Sequence, residues 1–345
     1  MSLEPSTEQS QRRREPSMED VAREAGVSGQ TVSRVVNARG YVGAATRERV
    51  ELAMQHLGYR PNSAARALRS GRFRTIGVVM FSFSSYGNQR TLDAIAVRAS
   101  QRGYALTLIP VESSAVETVA GAFRRIEEHA VDGIIIVLEA HQLDEADVEI
   151  PEGMPIVLVD SNRGTTHPFV DTDQAQGARL ATEHLLGLGH ETVWHVTGPA
   201  ESYSAERRRE AWQATLEAAG RPTPEVIFGD WSAESGYRAG LQLRGRDDVT
   251  AVFAANDQMA IGLVRAFREA GLDIPDDVSV VGFDGLPDAA QLWPPLTTVQ
   301  QHPERVGALA VDALLVELDG GEPPRTPLVS TELVVRGSSA APRVR

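Results

Sequence analysis

From Thr75 onward, continuous apolar runs of five to eight residues alternate with stretches of amphipathic, helical spacing. The runs are IGVVMFSF (76–83), ALTLIPV (105–111), GIIIVLE (133–139), PIVLVD (155–160), TVWHVTG (192–198), VIFGDW (226–231), AVFAAN (251–256) and SVVGFD (279–284). Between them the spacing predicts helices near 88–102, 114–129, 173–188, 204–219, 233–243 and 257–270. Strands that are apolar throughout are buried on both faces, which implies parallel sheets covered by helices. Right-handed crossovers make each half a doubly wound unit, so two halves of roughly 130 and 110 residues predict two lobes with a cleft between them. Ligands of such folds lie at the carboxyl ends of the strands. No G-x-G-x-x-G or Walker sequence follows any run, which argues against a dinucleotide or nucleotide-hydrolysing site.

The stretch before Thr75 has a different character. MEDVAREAGVSGQTVSRVVN (18–37) reads as two short helices joined by a tight turn. Ser17 can cap the first, with Asp20 reaching back, and Val21, Ala22 and Ala25 form one small apolar face. Gly26 stands where the helix must stop in a left-handed conformation. Ser28 caps the second helix, with Val32 and Val35 or Val36 facing inward. Its other face carries Gln30, Thr31, Ser33, Arg34 and Asn37, side chains of the kind that hydrogen-bond to base edges and phosphates. This is the pattern of a helix-turn-helix, although an ordinary helical hairpin with a polar face fits the same spacing. A third helix is expected over 45–57, with Val50, Met54 and Leu57 at i, i+4, i+7 and Gly58 ending it. Next comes YRPNSAARALRSGR (59–72), where Asn62 can cap a short helix over 63–68. That helix has little to bury and is marginal in water alone; a plain linker is the other possibility.

Charge divides at the same place. Residues 1–74 hold 13 arginines against 8 acids, and residues 75–345 hold 21 against 39. A basic head on an acidic body suits a DNA-binding domain joined to a soluble sensor, or an acidic enzyme with an incidental basic tail. The arm before Ser17 is polar, is expected to be disordered, and carries Arg12, Arg13 and Arg14. It lacks the apolar core of a signal peptide. No run approaches the roughly 20 apolar residues that span a bilayer. A cytoplasmic protein that does not engage membranes is expected. The chain has no cysteine, which excludes disulfides and thiolate metal sites.

Several motifs occur together in order: DVAREAGVS-QTVSRVVN, YV-ATRERVE-A---LGYRPN-AAR-LR-G, TIGVV, VDGIII, ATEHLLGLGH, FAANDQMAIG, DIPDDVSVVGFD, PPLTTV and ELVVRGS. In these the chain resembles the LacI/GalR family of transcriptional regulators over about residues 17–338. The resemblance implies an all-α helix-turn-helix headpiece and a periplasmic-binding-protein-like α/β core of two doubly wound lobes. It implies a disordered arm at 1–16, a headpiece at 17–60 and a hinge helix with linker at 61–74. The amino-terminal lobe would be 75–172 with 303–331, and the carboxyl-terminal lobe 173–302 with 332–340.

The same resemblance implies roles for residues. The second helix would enter the major groove of operator DNA, with Gly29, Gln30 and Arg34 at base-reading positions and Ser28, Thr31, Ser33 and Asn37 mainly on phosphates. Gly29 departs from the pattern, which would put a large side chain there, so operator identity does not transfer. Asn62, Ala65 and Leu68 belong to the hinge segment, where Leu68 would wedge into a minor-groove base step and kink it. In the cleft the candidates for an effector are Arg208, Trp231, Asn256, Asp284 and Gln301, with Asp160 weaker and Asp257 better suited to opening a helix. Such residues suit a mono- or disaccharide: Arg, Asn and Asp pair with vicinal hydroxyls, and an indole stacks on a pyranose face. Each also has a structural alternative. Asp160 and Asp284 could cap the next turn, Trp231 could be core, and Arg208 lies in a run of three arginines. The first loop, FSFSSYGNQ (81–89), departs from the family's aromatic segment, although Ser82, Ser84 and Tyr86 could still line the cleft.

Three classes of function compete. The first is a repressor, a homodimer released from a palindromic site by a sugar; corepression would use the same parts. The second is a solute-binding protein, which would need an export signal. The third is an enzyme, which would need a nucleophile with its base, a cofactor loop or a metal cluster. The eight histidines are scattered, and none pairs at metal-ligand spacing. The repressor is therefore expected, with no cofactor and no metal. The ending RGSSAAPRVR carries no leucine heptad, so a dimer is expected rather than a higher oligomer.

Overall fold

The computed structural model describes residues 16–36, 40–59, 71–80, 85–111, 121, 125, 130–137, 153–159, 167–323 and 328–343. The chain divides into two compact units, Met1–Phe73 and Arg74–Arg345.

The first unit contains α1 (Met18–Ala25), α2 (Gly29–Val36) and α3 (Ala44–Leu57). Ser17 and Asp20 form a capping box: Asp20 N donates to Ser17 Oγ at 3.3 Å, and Ser17 N donates to Asp20 Oδ2 at 2.8 Å. Gly26 ends α1 at φ 62°, the left-handed geometry that costs a glycine least. Thr31 N donates to Ser28 Oγ at 3.2 Å, so Ser28 caps α2. Val21, Val32 and Val50 are fully buried at the meeting of the three helices, with Ala22, Ala25, Val35 and Ala53 around them. Each buried valine contributes on the order of 1.5–3 kcal/mol. Met54 and Leu57 are only partly buried, because Ala53 takes the inward position on α3.

The second unit holds two six-stranded sheets. The first is built from β1 (Thr75–Met80), β2 (Ala105–Pro110), β3 (Gly133–Val137), β4 (Ile156–Val159), β5 (Phe169–Thr172) and β11 (Leu328–Val329), ordered β11-β5-β4-β3-β1-β2. Every pairing in it is parallel. The helices α4 (Tyr86–Gln101) and α9 (Pro303–Leu318) belong to this lobe. Gly307 lets α9 lie against α4, since a Cβ there would fall 2.8 Å from the Thr91 carbonyl oxygen. The expected helix over 114–129 lies outside the described residues, save 121 and 125.

The second sheet is built from β6 (Trp194–Thr197), β7 (Ile227–Phe228), β8 (Ala251–Ala254), β9 (Ser279–Asp284), β10 (Thr297–Gln300) and β12 (Glu332–Val334), ordered β12-β10-β9-β8-β6-β7. Its helices are α5 (Gln174–Gly187), α6 (Tyr203–Ala218), α7 (Ala233–Leu243) and α8 (Asp257–Glu269). One edge differs from the all-parallel expectation, because β12 runs antiparallel to β10. The chain reaches β12 two residues after leaving β11 in the other sheet, and so short a link leaves no room for a crossover helix. The chain passes between the sheets three times, at 172–174, 300–303 and 329–332.

Candidate functional site

A cavity with about 100 Å³ of free space is lined by residues of both lobes. Its walls are strand ends, where open α/β folds place their ligands. Val137, Val159, Asp171 and Thr172 come from the ends of β3, β4 and β5, and Ser85 and Asn88 from the start of α4. Gln174, Ser204, Arg208, Trp231, Asn256 and Asp284 face them from the second lobe, and Gln301 comes from one of the interlobe crossings.

Helical phase singles out Arg208 from its run of three. Arg207 pairs with Glu210 at 3.1 Å and Arg209 lies over the Phe228 ring, whereas Arg208 is only 4% exposed. Its Nε donates to Gln174 Oε1 at 2.8 Å and its Nη1 to the Ala255 carbonyl at 2.5 Å. Nη1 lies 3.8 Å from Asp284 Oδ1, and the guanidinium carbon sits 3.7 Å from the centre of the Phe283 ring. A buried guanidinium needs this many partners to offset its lost hydration.

Asp284 ends β9 with φ 113°, and Trp231 follows β7 with φ 69°. Such left-handed geometry costs a non-glycine residue on the order of 1–3 kcal/mol and persists where the surroundings over-determine it. The surroundings of Asp284 do so. Gln301 Nε2 donates to its Oδ1 at 2.6 Å. The next two amides are held as well: Gly285 N donates to Thr298 Oγ1 at 3.3 Å and Leu286 N to Asp257 Oδ2 at 2.8 Å. Thr298 Oγ1 in turn donates to Asp257 Oδ1 at 2.6 Å. Asp257 is therefore an anchor for the turn that carries Asp284. Burial, with the nearby Asp284 charge adding to it, pushes the Asp257 carboxyl up to about 8.

The cap of α8 is Asn256 rather than Asp257. Asn256 Oδ1 accepts from Met259 N at 2.8 Å, and its Nδ2 donates to the Trp231 carbonyl at 2.9 Å. Asn256 thus lines the cavity and also fixes the backbone of Trp231. The indole lies so close to Gly198 that a Cβ there would fall 2.3 Å from the ring.

Of the effector residues expected from sequence, Arg208, Trp231, Asn256, Asp284 and Gln301 come together around one cavity. Asp160 lies outside the described residues, as do Ser82 and Ser84. Among the described residues, Tyr86 is not in the lining although Ser85 and Gly87 are; burial raises the pKa of its phenol, and the Asp284 charge adds to that rise. Sequence reasoning missed Asp171, Gln174, Ser204 and Asn88. Gln174 carried a legible signal, since it opens a helix behind Asp173, whose side chain accepts from Gln176 N at 2.9 Å.

In the first unit, Ser28, Gln30 and Arg34 are exposed and Gly29, Thr31 and Ser33 half-buried, while Val32 and Val35 point inward. A Cβ at Gly29 would meet nothing within 4 Å, so packing does not demand glycine there. Asn37, Asn62, Ala65 and Leu68 lie outside the described residues.

Comparison with known proteins agrees with both units. Residues 17–62 match the model for bacterial regulatory proteins of the lacI family, and residues 182–339 match a periplasmic binding protein-like domain. The lactose operon repressor of Escherichia coli (strain K12) is 37% identical over 328 residues, covering 94% of this chain and 91% of the repressor. The crystal structure of the lac repressor dimer bound to operator and the anti-inducer ONPF superimposes with a TM-score of 0.86 at 36% identity, covering 95% of this chain and 100% of that one. The complex of the transcriptional regulator CelR with cellobiose superimposes with a TM-score of 0.69 at 32% identity, covering 94% and 99%. Three capped helices, two doubly wound sheets and full-length similarity to these regulators converge: the chain belongs to the lacI family of bacterial regulatory proteins.

Proposed function

We propose that this protein is a homodimeric, cytoplasmic repressor without enzymatic activity. It binds a palindromic operator through α2 and leaves it when a sugar enters the interlobe cavity. The observation that carries this reading is the meeting of Arg208, Asp284 and Gln301 beside Trp231. Together they offer fixed donors, fixed acceptors and an aromatic face, which is the chemistry of a polyhydroxy ring. The division into headpiece 17–60, hinge 61–74 and two lobes belongs to the same reading. So do the roles of Gln30 and Arg34 on bases and of Asn62, Ala65 and Leu68 at the minor groove. The operator-bound lac repressor dimer and the cellobiose complex of CelR support it by similarity.

The cavity lining comes from both lobes, so a ligand inside it touches both. Such a ligand shifts the population toward whichever lobe arrangement it binds more tightly, and only to the extent of that difference. Release of DNA then follows if the preferred arrangement is the one that does not hold both half-sites.

A gel shift on the palindromic sites of the promoter nearest its own gene, repeated with a panel of mono- and disaccharides, tests the proposal. The expected result is a shift that at least one sugar abolishes. Absence of any shift overturns DNA binding. A sugar that strengthens the shift reverses the sign to corepression.

A further inference from the structure

We propose that Gln174 is a specificity residue of the effector cavity: its Nε2 donates to one hydroxyl oxygen of the sugar, so the effector must carry a hydroxyl at the ring position facing it. This rests on the reading of the cavity as a sugar site and deepens it by assigning one position of the ligand. Gln174 lines the cavity and is 5% exposed. Its Oε1 accepts from Arg208 Nε at 2.8 Å. Arginine offers donors only, so the amide oxygen has to be the atom that faces it, and the NH2 group is turned the other way. Among the described residues Nε2 has no hydrogen-bond partner, yet it is not sealed inside the protein. Both amide hydrogens are therefore open to the cavity.

The setting of Gln174 is rigid. It opens α5 at the end of the first interlobe crossing. Just before it Asp173 N donates to the Val329 carbonyl at 2.8 Å, and just after it Gln176 Oε1 accepts from Thr331 N at 2.7 Å. These bonds stitch the turn to the third crossing, and the Arg208 bond fixes the end of the side chain. A donor held in this way loses little freedom when a ligand arrives. Two nearby amides are already engaged: Asn256 Nδ2 donates to the Trp231 carbonyl and Gln301 Nε2 to Asp284 Oδ1. A ligand hydroxyl at Gln174 satisfies the amide. A carbon at that position leaves a buried donor unmet, and an ammonium, which only donates, fares no better.

The test is isothermal titration of the full-length protein and of Gln174→Met, similar in length but without the amide. The ligands are the sugar that abolishes the gel shift and its monodeoxy derivatives, one for each hydroxyl. One deoxy derivative is expected to bind the parent protein about tenfold or more weaker than the sugar does, and Gln174→Met to bind the sugar itself about tenfold weaker. At that one position the losses overlap, so that the deoxy derivative binds Gln174→Met within about threefold of the sugar; at the others they multiply. Losses that multiply at every position overturn the proposal and leave the sugar reading intact. Should the Met variant melt abnormally, Gln174→Glu decides, since it keeps an acceptor for Arg208 and puts an oxygen where the NH2 group was. In Gln174→Glu the deoxyfluoro derivative of one position, which accepts but cannot donate, is expected to bind at least about fivefold weaker relative to its deoxy counterpart than in the parent. An unchanged ratio at every position overturns the proposal. If no sugar binds, the sugar reading and this proposal fall together.

Discussion

Gln301 Nε2 donates to Asp284 Oδ1 at 2.6 Å, joining the residue after β10 to the last residue of β9. The bond closes a ring of constraints around a backbone held at φ 113°. Asp257 secures the turn beyond it, and Arg208 lies 3.8 Å from the same carboxylate oxygen. Strain maintained this way is characteristic of ligand sites rather than of structural turns. Asp284→Ala is therefore expected to leave operator affinity unchanged and to abolish the effector response, with sugar affinity down about 10- to 100-fold, as befits loss of a charge-assisted bond. Gel shifts with and without sugar measure this. A normal response would remove Asp284 from the site.

Gly198 controls the indole of Trp231. A Cβ on Gly198 would fall 2.3 Å from the ring, and the Trp231 backbone is pinned by Asn256 Nδ2 at 2.9 Å, so the ring has to tilt away. Gly198→Ala is expected to weaken sugar binding by about tenfold or more and to shift the tryptophan emission, with DNA binding kept. An unaltered affinity would mean that the indole does not stack on the ligand.

Much of the fold was legible because central parallel strands are buried on both faces and so show as unbroken apolar runs. IGVVM, GIIIV and SVVGFD became β1, β3 and β9. Among the edge strands, ALTLIPV and VIFGDW became β2 and β7, the latter shortened to Ile227–Phe228, whereas β11 is two residues long with Leu328 exposed and carries no run. The antiparallel β12 follows from where the chain crosses between lobes, which local pattern does not record. Within the site, Arg208 was legible from phase as well as from motif, since Ala205, Arg208, Trp212 and Leu216 mark one buried face of α6. Asp171 was not, because the carboxylate in FVDT interrupts the strand's apolar pattern and β5 went unrecognised.

The headpiece offers a separate test. Arg34 is exposed on α2, outside the core of Val21, Val32 and Val50, so its removal leaves folding intact. Arg34→Ala is expected to cost about 1–3 kcal/mol of operator binding, concentrated at one base pair of each half-site, with sugar affinity unchanged. Gly29 has open space around its Cβ position. Gly29→Tyr is expected to change which operator is preferred without lowering the melting temperature, and selection from a randomised half-site library measures it. Loss of both DNA and sugar binding in Arg34→Ala would make that arginine structural.

His195 predicts how the core responds to acid. It lies on β6, fully buried between Trp212 and Phe253, whose ring centres are 5.2 and 4.8 Å away. The Phe253 carbonyl is 2.9 Å from Nδ1, so Nδ1 carries the proton, and Nε2 has no partner among the described residues. Burial, aided by the Arg208 charge, pushes the imidazole down to about 3 from its usual value near 6.5. Below pH 6.5 the unfolded chain binds a proton here that the folded chain refuses, so stability is lost as pH falls from about 6.5 toward 3. The slope from this one group approaches about 1.4 kcal/mol per pH unit. Asp257 works in the opposite sense, because its raised carboxyl removes stability as pH climbs from about 4 toward 8. Comparing the parent protein with His195→Phe cancels the Asp257 contribution while preserving the ring stack. Denaturant melts at pH 7, 6 and 5 are expected to show the Phe variant gaining on the parent at each step down. A constant difference between the two across that range would mean that His195 takes up its proton in the folded state.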